Sequence, residues 1–376
     1  MTTDPLARAS VALEKGGAPA PAAPPPEPSV PPAPPTERPA LVATLTGVGR
    51  WLLAIAGALV IFGAFLLAKG AEPLDVYEAM WTSARADGFG ETLVRAAPLL
   101  LAGLAVAVPA RAGLFNIGGE GQLLMGAIGA TAAGTAIGDG VGTTPSLVVM
   151  IAAGAALGGA WAAIPALLRV VFRTNEAITS LLLNYTASLV LTWLVFEPWK
   201  DPQSLGQAYS ESILPSQELP IIWGNRVHAG IVVAVVIALA TCLVLRSTRW
   251  GFRLTVLGGN PEAARRAGLA VGGLTVGAMV LGGALAGAGG AIELTGVEGR
   301  LRPDMLVGYG FIGFLASWLV RHDPLRLVGS ALLLGAIAVG GSGLKISSGL
   351  SGGAVNVLMA LVLLAVLGWG QKKETT

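Results

Sequence analysis

The 376-residue sequence contains little charge and few reactive side chains. Charged residues make up 12% of it, against about 25% in a typical soluble domain, which argues against a soluble protein. The one cysteine, Cys242, excludes an internal disulfide, and its apolar surroundings are typical of a buried hydrophobic residue. The two histidines, His228 and His322, stand apart from other ligand side chains, so we expect no metal site.

Motifs for nucleotide binding and covalent catalysis are also missing from the sequence. The phosphate-binding pattern Gly-x-x-x-x-Gly-Lys-[Ser/Thr] does not occur, so the chain is not expected to bind ATP by that route. No pairing of Ser, His and Asp, or of Cys and His, indicates a nucleophile, and the basic loops do not indicate a nucleic-acid partner. The sequence therefore predicts a protein that is not an enzyme and holds no cofactor.

What the chain has in excess is apolar sequence, with 53% hydrophobic residues, 53 glycines and a mean hydropathy of +0.70. A membrane-crossing helix needs roughly 20 mostly apolar residues, and small residues let such helices pack closely. The sequence therefore predicts an all-α, polytopic membrane protein with about ten transmembrane helices. They are predicted at residues 50–69, 92–110, 122–138, 146–168, 177–197, 229–245, 272–292, 307–320, 327–343 and 353–370.

The beginning of the chain differs from the rest. Residues 1–45 are rich in Pro and Ala and have no apolar face to bury, which predicts a disordered, partly polyproline II tail. This tail could bind an adaptor or be a dispensable extension, and it lacks the order of a signal peptide. We therefore predict a tail at 1–45 and a transmembrane domain at 46–371.

The basic residues predict how the spans are oriented. Ten spans place both termini on one side of the membrane, and the loops on that side carry most of the arginines, five of them within residues 246–266. The positive-inside rule places those loops and both termini in the cytoplasm. The long loop at 198–228 then faces outward.

A short internal echo predicts an inverted repeat. Gly-Gly-Glu-Gly-Gln-Leu at 118–123 and Gly-Val-Glu-Gly-Arg-Leu at 296–301 follow the second and seventh predicted spans, which run in opposite directions. An inverted repeat of spans two to five and seven to ten would produce this pattern, with the solute path between the two halves. In a glycine-rich chain, a match of this length also arises by chance.

Residues 113–122 form the richest polar cluster at membrane depth, and their four glycines favour unwound backbone. Such backbone is tolerated there only where protein or water surrounds it. Asn116, Glu120 and Gln122 are candidates for hydrogen bonds to a polar solute, and Phe115 could stack on a planar ring. The simpler interpretations are a tight cytoplasmic turn whose glycines serve packing, and a structural role for Glu120.

A second polar group lies at the start of the fifth predicted span. Asn175 or Thr174 can cap this helix, and Glu176 is favoured by the helix dipole. Asn184 and Tyr185 lie deeper and are candidates to line the solute path, although Asn184 could equally bond a neighbouring helix. Glu293, near the end of the seventh span, is expected to be solvated at the outer surface.

A polar island at residues 246–270 separates two long apolar runs. Asn260 can cap a helix that has Pro261 and Glu262 in its first turn and ends at Gly268. A helix of about two turns is marginal alone, so we expect it to lean on another surface. A protruding cytoplasmic helix is what a permease needs if a soluble motor is to grip it.

These motifs, in this order, resemble the permease subunits of bacterial ABC importers in the branched-chain amino acid and ribose permease superfamily. The most specific part is Gly-Leu-Phe-Asn-Ile-Gly-Gly-Glu-Gly-Gln at 113–122. It is followed by the polar opening at 175–185 and by Gly-Asn-Pro-Glu-Ala-Ala-Arg-Arg-Ala-Gly at 259–268. The nearest branch is the nucleoside (simple-sugar-type) permeases, and the resemblance covers roughly residues 45–370.

The resemblance implies a permease that forms the solute pathway of a bacterial plasma-membrane importer and carries out no covalent chemistry. It implies a coupling helix that docks on an ABC ATPase subunit, where ATP is bound and hydrolysed. It also implies an extracytoplasmic solute-binding protein and a second, commonly different, permease. The implied coupling residues are Gly259, Asn260, Pro261, Glu262, Ala263, Ala264, Arg265 and Gly268.

Two other functions stay open on the sequence alone. The importer could carry ribose, another simple sugar or a branched-chain amino acid in place of a nucleoside, because nothing in the sequence excludes them. An ion-coupled secondary transporter would also permit inverted repeats. It predicts acids in mid-span, whereas the acids here lie near breaks and span ends, and it gives the polar island no role.

Overall fold

The computed structural model of the chain describes residues 40–85, 88–204, 206–347 and 353–370, and all structural statements concern those residues. The chain divides into two units, Met1–Gly47 and Val48–Thr376, and the second holds the site and its supporting helices. The predicted tail falls largely outside the described residues. Its last part, residues 40–45, belongs to the first helix, which therefore begins before the predicted boundary.

Among the described residues, the regular structure is helical apart from one short hairpin and an isolated bridge between Lys200 and Ser210. The helices are α1 (Ala40–Ala68), α2 (Pro73–Arg85), α3 (Gly88–Ala110), α4 (Gly119–Ile137), α5 (Thr143–Phe172), α6 (Glu176–Phe196), α7 (Gly230–Ser247), α8 (Arg249–Gly259), α9 (Pro261–Arg266), α10 (Val271–Glu293), α11 (Tyr309–Leu319), α12 (Pro324–Ser347) and α13 (Gly353–Gly370). A 3₁₀ turn at Pro215–Gln217 precedes the antiparallel strands β1 (Ile221–Trp223) and β2 (Val227–His228). The predicted all-α class is confirmed.

Helices α3 and α10 form the centre of the membrane domain, because both are apolar and largely buried. α10 packs against α3, α4 and α5. Glycine allows these helices to approach closely: a Cβ on Gly126 of α4 would overlap Gly287 of α10, and one on Gly287 would overlap Gly154 of α5. Small residues take the place of large core side chains because membrane helices associate through close packing.

The predicted number of ten spans is not confirmed. Among the described residues, six helices are long and apolar enough to cross a membrane: α3, α5, α6, α7, α10 with the turn that follows it, and α12. The number is seven if α1 and α2, bent by 118°, form one broken span. A helix lies at each of the ten predicted positions, but α11 has only 11 residues, and glycines and polar residues dilute the hydropathy of α4.

Two interruptions divide the central helices. We call residues 111–118, between α3 and α4, the first break, and residues 294–308, between α10 and α11, the second break. The second break opens with a π-helical turn at Leu294–Glu298. The starts of α4 and α11 meet, because a Cβ on Gly119 would lie 3.6 Å from the Cα of Gly310. Two half-helices that begin side by side in this way match the broken helices of repeat-built transporters.

The hexapeptide echo does not mark equivalent positions in the two halves. Residues 118–123 begin α4, whereas residues 296–301 lie inside the second break, well ahead of α11. The inverted repeat therefore rests on the matching order of long helix, break and half-helix, and it stays a prediction.

Candidate functional site

Asn116 holds the backbone of the first break in place, and it is fully buried. Its Nδ2 donates to the Ala105 carbonyl of α3 and to Gln122 Oε1, both at 2.9 Å. Its Oδ1 accepts from the Gly118 N–H at 3.1 Å and from Gln122 Nε2 at 2.9 Å. The two donor hydrogens and the acceptor oxygen of the amide are thus all engaged by protein groups.

Helix α6 supplies the other side of this network. Asn184 accepts from the Gly121 N–H at 2.8 Å and donates to the Ile117 carbonyl at 2.9 Å. Ser180 Oγ accepts from the Ile117 N–H at 3.2 Å. Side chains of α6 therefore replace the helical hydrogen bonds that the first break lacks, which unwound backbone at membrane depth requires.

Glu176 completes the network in a way that the sequence did not reveal. It is 3% exposed, and its Oε1 accepts from the Phe115 N–H at 3.2 Å while its Oε2 pairs with Arg169 of α5. A buried carboxylate is stable only with such partners. Asn175 caps α6, as predicted, by accepting from the Ala177 N–H at 2.9 Å.

Glu120 connects the two breaks. Its Oε2 accepts from the N–H of Gly308, the residue that caps α11, at 3.0 Å. Gly310 packs directly against the Glu120 backbone. Because a carboxylate is favoured at a helix N-terminus, Glu120 stabilises the starts of both α4 and α11. This contact gives Glu120 the structural role that the sequence allowed, and its contact with a solute stays a prediction.

The residues predicted to line the solute path differ in exposure. Asn116, Gln122 and Asn184 are buried and bonded to protein, whereas Phe115 is 49% and Tyr185 is 66% exposed. Phe115 stacks on Trp318 of α11, with ring centroids 6.0 Å apart and planes inclined by 15°. Five of the six predicted residues surround the first break, and Tyr185 lies on the exposed side of α6. Their contact with a solute stays a prediction.

The prediction that Glu293 is solvated was wrong. Glu293 is 4% exposed at the end of α10, and its Oε2 has no hydrogen-bond partner among the residues that the structure describes. Tyr309, the first residue of α11, lies beside it. The sequence could not show this burial, because it depends on how the second break folds over the end of α10.

The polar island folds into α8 and α9. Asn260 Oδ1 accepts from the N–H groups of Glu262 and Ala263, both at 3.0 Å, and Pro261 is in the first turn. The chain leaves α9 through Gly268, whose φ is +77°. The predicted cap and end of this short helix are confirmed.

One face of α9 carries exposed charged side chains, and the other is buried against the rest of the chain. Glu262 pairs with Arg265 at 3.0 Å and with Arg266 at 3.2 Å, and these side chains are 54%, 69% and 81% exposed. Ala264 is fully buried. The predicted coupling residues therefore divide into an exposed face and a residue that seats the helix on its own chain.

The end of α8 lies directly on the first break. A Cβ on Gly113 would lie 3.4 Å from the Cα of Gly258, and one on Gly258 would overlap the Arg111 carbonyl oxygen. Gly113 has a φ of +71°, which glycine adopts without strain. The polar island and the first break are thus in backbone contact across a long sequence separation.

A histidine lies on the same side as this contact. His322, between α11 and α12, has its Nδ1 2.9 Å from Ser317 Oγ and its ring edge-on to Trp318. Burial, and then the nearby Arg111, lowers the pKa of His322 to about 4. The ring is therefore neutral at neutral pH and serves as a packing and hydrogen-bonding group.

Buried unwound backbone inside a bundle of membrane-crossing helices, joined to a protruding charged helix, defines a multi-pass membrane transport protein. The sequence profile of the family described as "Branched-chain amino acid transport system / permease component" matches residues 88–367. The chain belongs to this permease family. It is a transport subunit and not an enzyme.

Three relatives are similar over most of their length. A glucose ABC transporter permease of Haloferax volcanii is 37% identical, over 85% of this chain and 87% of that protein. A guanosine ABC transporter permease of Bacillus subtilis is 33% identical, over 87% of this chain and 91% of that protein. A nucleoside ABC transporter permease of Lactococcus lactis is 26% identical, over 84% of this chain and 89% of that protein.

Proposed function

We propose that the chain forms part of the solute pathway of an ATP-driven importer in a bacterial plasma membrane, and that the solute is a nucleoside. The observation that carries this proposal is the contact between the polar island and the first break, made by Gly258 and Gly113. It joins a surface that a soluble motor could grip to the unwound backbone at membrane depth. An ion-coupled transporter would have no use for such a surface.

The charged face of α9 supports docking of an ABC ATPase. Glu262, Arg265 and Arg266 are exposed and already paired with one another, so their geometry is set before a partner arrives. A preorganised surface loses less conformational entropy on binding. Because Ala264 is buried, a bulky residue there would unseat α9 rather than block the partner surface.

Movement of α9 has a direct route to the pathway. α8 and α9 are in contact, and the end of α8 rests on residues 111–113. A rigid displacement of the polar island would therefore displace the first break, which contains Asn116 and leads directly into Glu120 of α4. ATP binding and hydrolysis on the partner would shift the permease between outward and inward states in this way.

The nucleoside assignment is supported by two of the three relatives, which are permeases for guanosine and for nucleosides. The stacked pair of Phe115 and Trp318 offers a flat aromatic surface suited to a base. The glucose permease of Haloferax volcanii supports the second candidate, a simple sugar.

Two further partners are a solute-binding protein outside the membrane and a second permease within it. The positive-inside rule places both termini and α9 in the cytoplasm, which leaves residues 198–228 for an extracytoplasmic solute-binding protein. A second permease would pack on the exposed apolar face of α6. This face carries Ile178, Leu182, Tyr185, Leu189 and Trp193, each more than half exposed.

Uptake of labelled nucleosides into proteoliposomes tests the proposal. The vesicles contain this chain, its partner permease and the ATPase, with solute-binding protein outside and ATP inside. We expect ATP-dependent uptake that unlabelled nucleosides compete away and that glucose, ribose and leucine do not. Competition by glucose or ribose would establish the sugar candidate, and uptake without ATP would contradict the importer.

Charge reversal on α9 tests the coupling surface in the same vesicles. Glu262→Arg is expected to abolish both uptake and the ATPase activity stimulated by the loaded binding protein. Arg326→Glu, at an exposed position of α12 outside the polar island, is the control and should retain both. Equal loss in the two variants would show a general charge effect and not a docking surface.

A further inference from the structure

A cavity of about 240 Å³ lies beside the second break. Its walls come from α3, α11, α12 and α13, so four helices and the end of the break meet around it. The apolar part of the wall includes Leu99, Ile312 and Met359. An apolar cavity with a few converging polar groups is the usual form of a small-molecule site.

Three polar side chains face this cavity: Arg95 of α3, Tyr309 of α11 and Asn356 of α13. Together they offer a guanidinium, a phenol and an amide, which can donate to carbonyl, ring-nitrogen or hydroxyl oxygen acceptors. Asn356 is exposed and therefore marks the open side of the cavity. Arg95 and Tyr309 are only partly exposed and lie farther in.

The guanidinium of Arg95 is already paired before a solute arrives. Its Nε lies 3.0 Å from Glu91 Oε1, and the other oxygen of Glu91 lies 3.0 Å from Arg226. A phosphate or carboxylate would have to compete with Glu91 for the guanidinium, and the largely apolar wall would not compensate the loss of its hydration. The cavity therefore favours an uncharged polar compound over an anion.

Glu293 stands behind Tyr309 as a positioning residue. The phenol lies beside the Glu293 carboxyl group, whose Oε2 is buried without a partner among the described residues. A carboxyl group next to the phenol can fix the direction of the Tyr309 hydroxyl, and we assign Glu293 that role.

We propose that this cavity is a solute-binding site on the transport pathway. It takes an uncharged ring compound with hydroxyl and carbonyl groups, bonded by Tyr309, Asn356 and Arg95. The proposal rests on the proposed function, since it assigns the site through which that importer's solute passes. It places the solute beside the second break, away from Asn116 and Gln122, whose amides are engaged by protein.

Solute protection of an introduced thiol tests the site. Because Cys242 is the only cysteine, Cys242→Ala gives a thiol-free background. Ile312→Cys places a thiol on the cavity wall. Val236→Cys, at an exposed position of α7 away from the cavity, is the matched control. In the assembled complex, we expect guanosine or uridine to slow labelling of Ile312→Cys by about 10-fold. Neither guanosine monophosphate nor a buffer control should slow it, and labelling of Val236→Cys should not change.

A second variant measures the contribution of the phenol. Tyr309→Phe is expected to raise the half-saturating solute concentration for uptake by about 10-fold, the size of one lost hydrogen bond, with little change in maximal rate. Tyr77→Phe, which removes a hydroxyl that donates to the Leu59 carbonyl outside the cavity, is the control and should leave this concentration unchanged. Glu293→Gln, which keeps a side chain able to bond Tyr309, should recover most of the affinity that Glu293→Leu loses.

The outcomes separate this site from the proposed function. If Ile312→Cys complexes transport nucleosides but nucleosides give no protection, the importer stands and the site is wrong. Thiol labelling blocked by lipid alone, regardless of solute, would likewise overturn the site by showing an acyl-chain groove. Absence of nucleoside uptake in every complex, with labelling slowed by glucose, would overturn the nucleoside assignment and retain a solute site.

Discussion

The two breaks have the same place in the architecture but are stabilised by different means. The first break is held by side chains: Asn116 within it, Gln122 of α4, and Ser180 and Asn184 of α6. The amides of Asn116 and Asn184 each bridge two backbone groups, and the Gln122 amide holds that of Asn116. A network of this kind fixes one conformation, because every alternative leaves a buried polar group unpaired.

The second break is held mainly by backbone. Leu306 lies in the left-handed region with φ of +61°, between glycines at 299 and 308 that do the same. The hydrogen-bond partners of the second break come from the outer loop. The Ser210 N–H donates to the Leu301 carbonyl at 3.1 Å, and the Ile213 N–H donates to the Gly299 carbonyl at 2.8 Å. A left-handed leucine costs about 1–2 kcal/mol, so this break depends on the loop that overlies it.

Each break contacts one of the two proposed docking segments. The first rests on the end of α8, next to the proposed ATPase surface, and the second contacts the loop proposed to receive the solute-binding protein. Glu120 joins the two through Gly308. Under the proposed function, the two breaks would receive separate inputs, which meet where α4 and α11 begin.

The largest effect should come from removing the side chain that holds the first break. Asn116→Leu leaves the Ala105 carbonyl, the Gly118 N–H and the Gln122 amide without hydrogen-bond partners. Each buried unpaired group should lower the free energy of unfolding by about 1–3 kcal/mol. We expect a large drop in the thermal unfolding midpoint in detergent. Asn225→Leu, at an exposed position of the outer hairpin, is the matched control and should change stability by less than about 0.5 kcal/mol. A midpoint for Asn116→Leu within the range of the control would show that the network is dispensable.

An intermediate effect should come from the neighbouring glycines at the end of α8. Gly258→Ala forces the polar island away from Arg111, which we expect to destabilise by about 1–3 kcal/mol and to uncouple ATPase activity from uptake. Gly259→Ala has open space around its new methyl group, so its free energy of unfolding should rise by about 0.5–1 kcal/mol. Hydrogen exchange should accelerate at residues 111–118 in the first variant alone. Stability changes of opposite sign at these two adjacent residues would distinguish contact with the first break from a general effect on α8.

The sequence could predict what depends on local pattern. Long apolar runs located the central helices, and the Asn260–Pro261 pair located α9 with its cap. It could not predict α2, because acids such as Asp75 and Glu78 hide a helix that packs against α3 and α12. Nor could it predict the burial of Glu293 or the contact of Gly258 with the first break. Both depend on contacts between segments far apart in the chain, which local hydropathy does not report.

The smallest effect should come from Ser210, an outer-loop side chain that hydrogen-bonds the second break. Ser210 is 2% exposed, and its Oγ accepts from the Leu301 N–H at 2.9 Å. Ser210→Ala removes this bond but leaves the backbone bond in place, so we expect a loss of about 1 kcal/mol. Exposed Ser212→Ala is the matched control. Hydrogen exchange should accelerate at residues 299–308 and not at residues 111–118, the reverse of Gly258→Ala. If Ser210→Ala loosened both breaks equally, the two inputs would not be separate, and Glu120 would transmit any local change across the membrane domain.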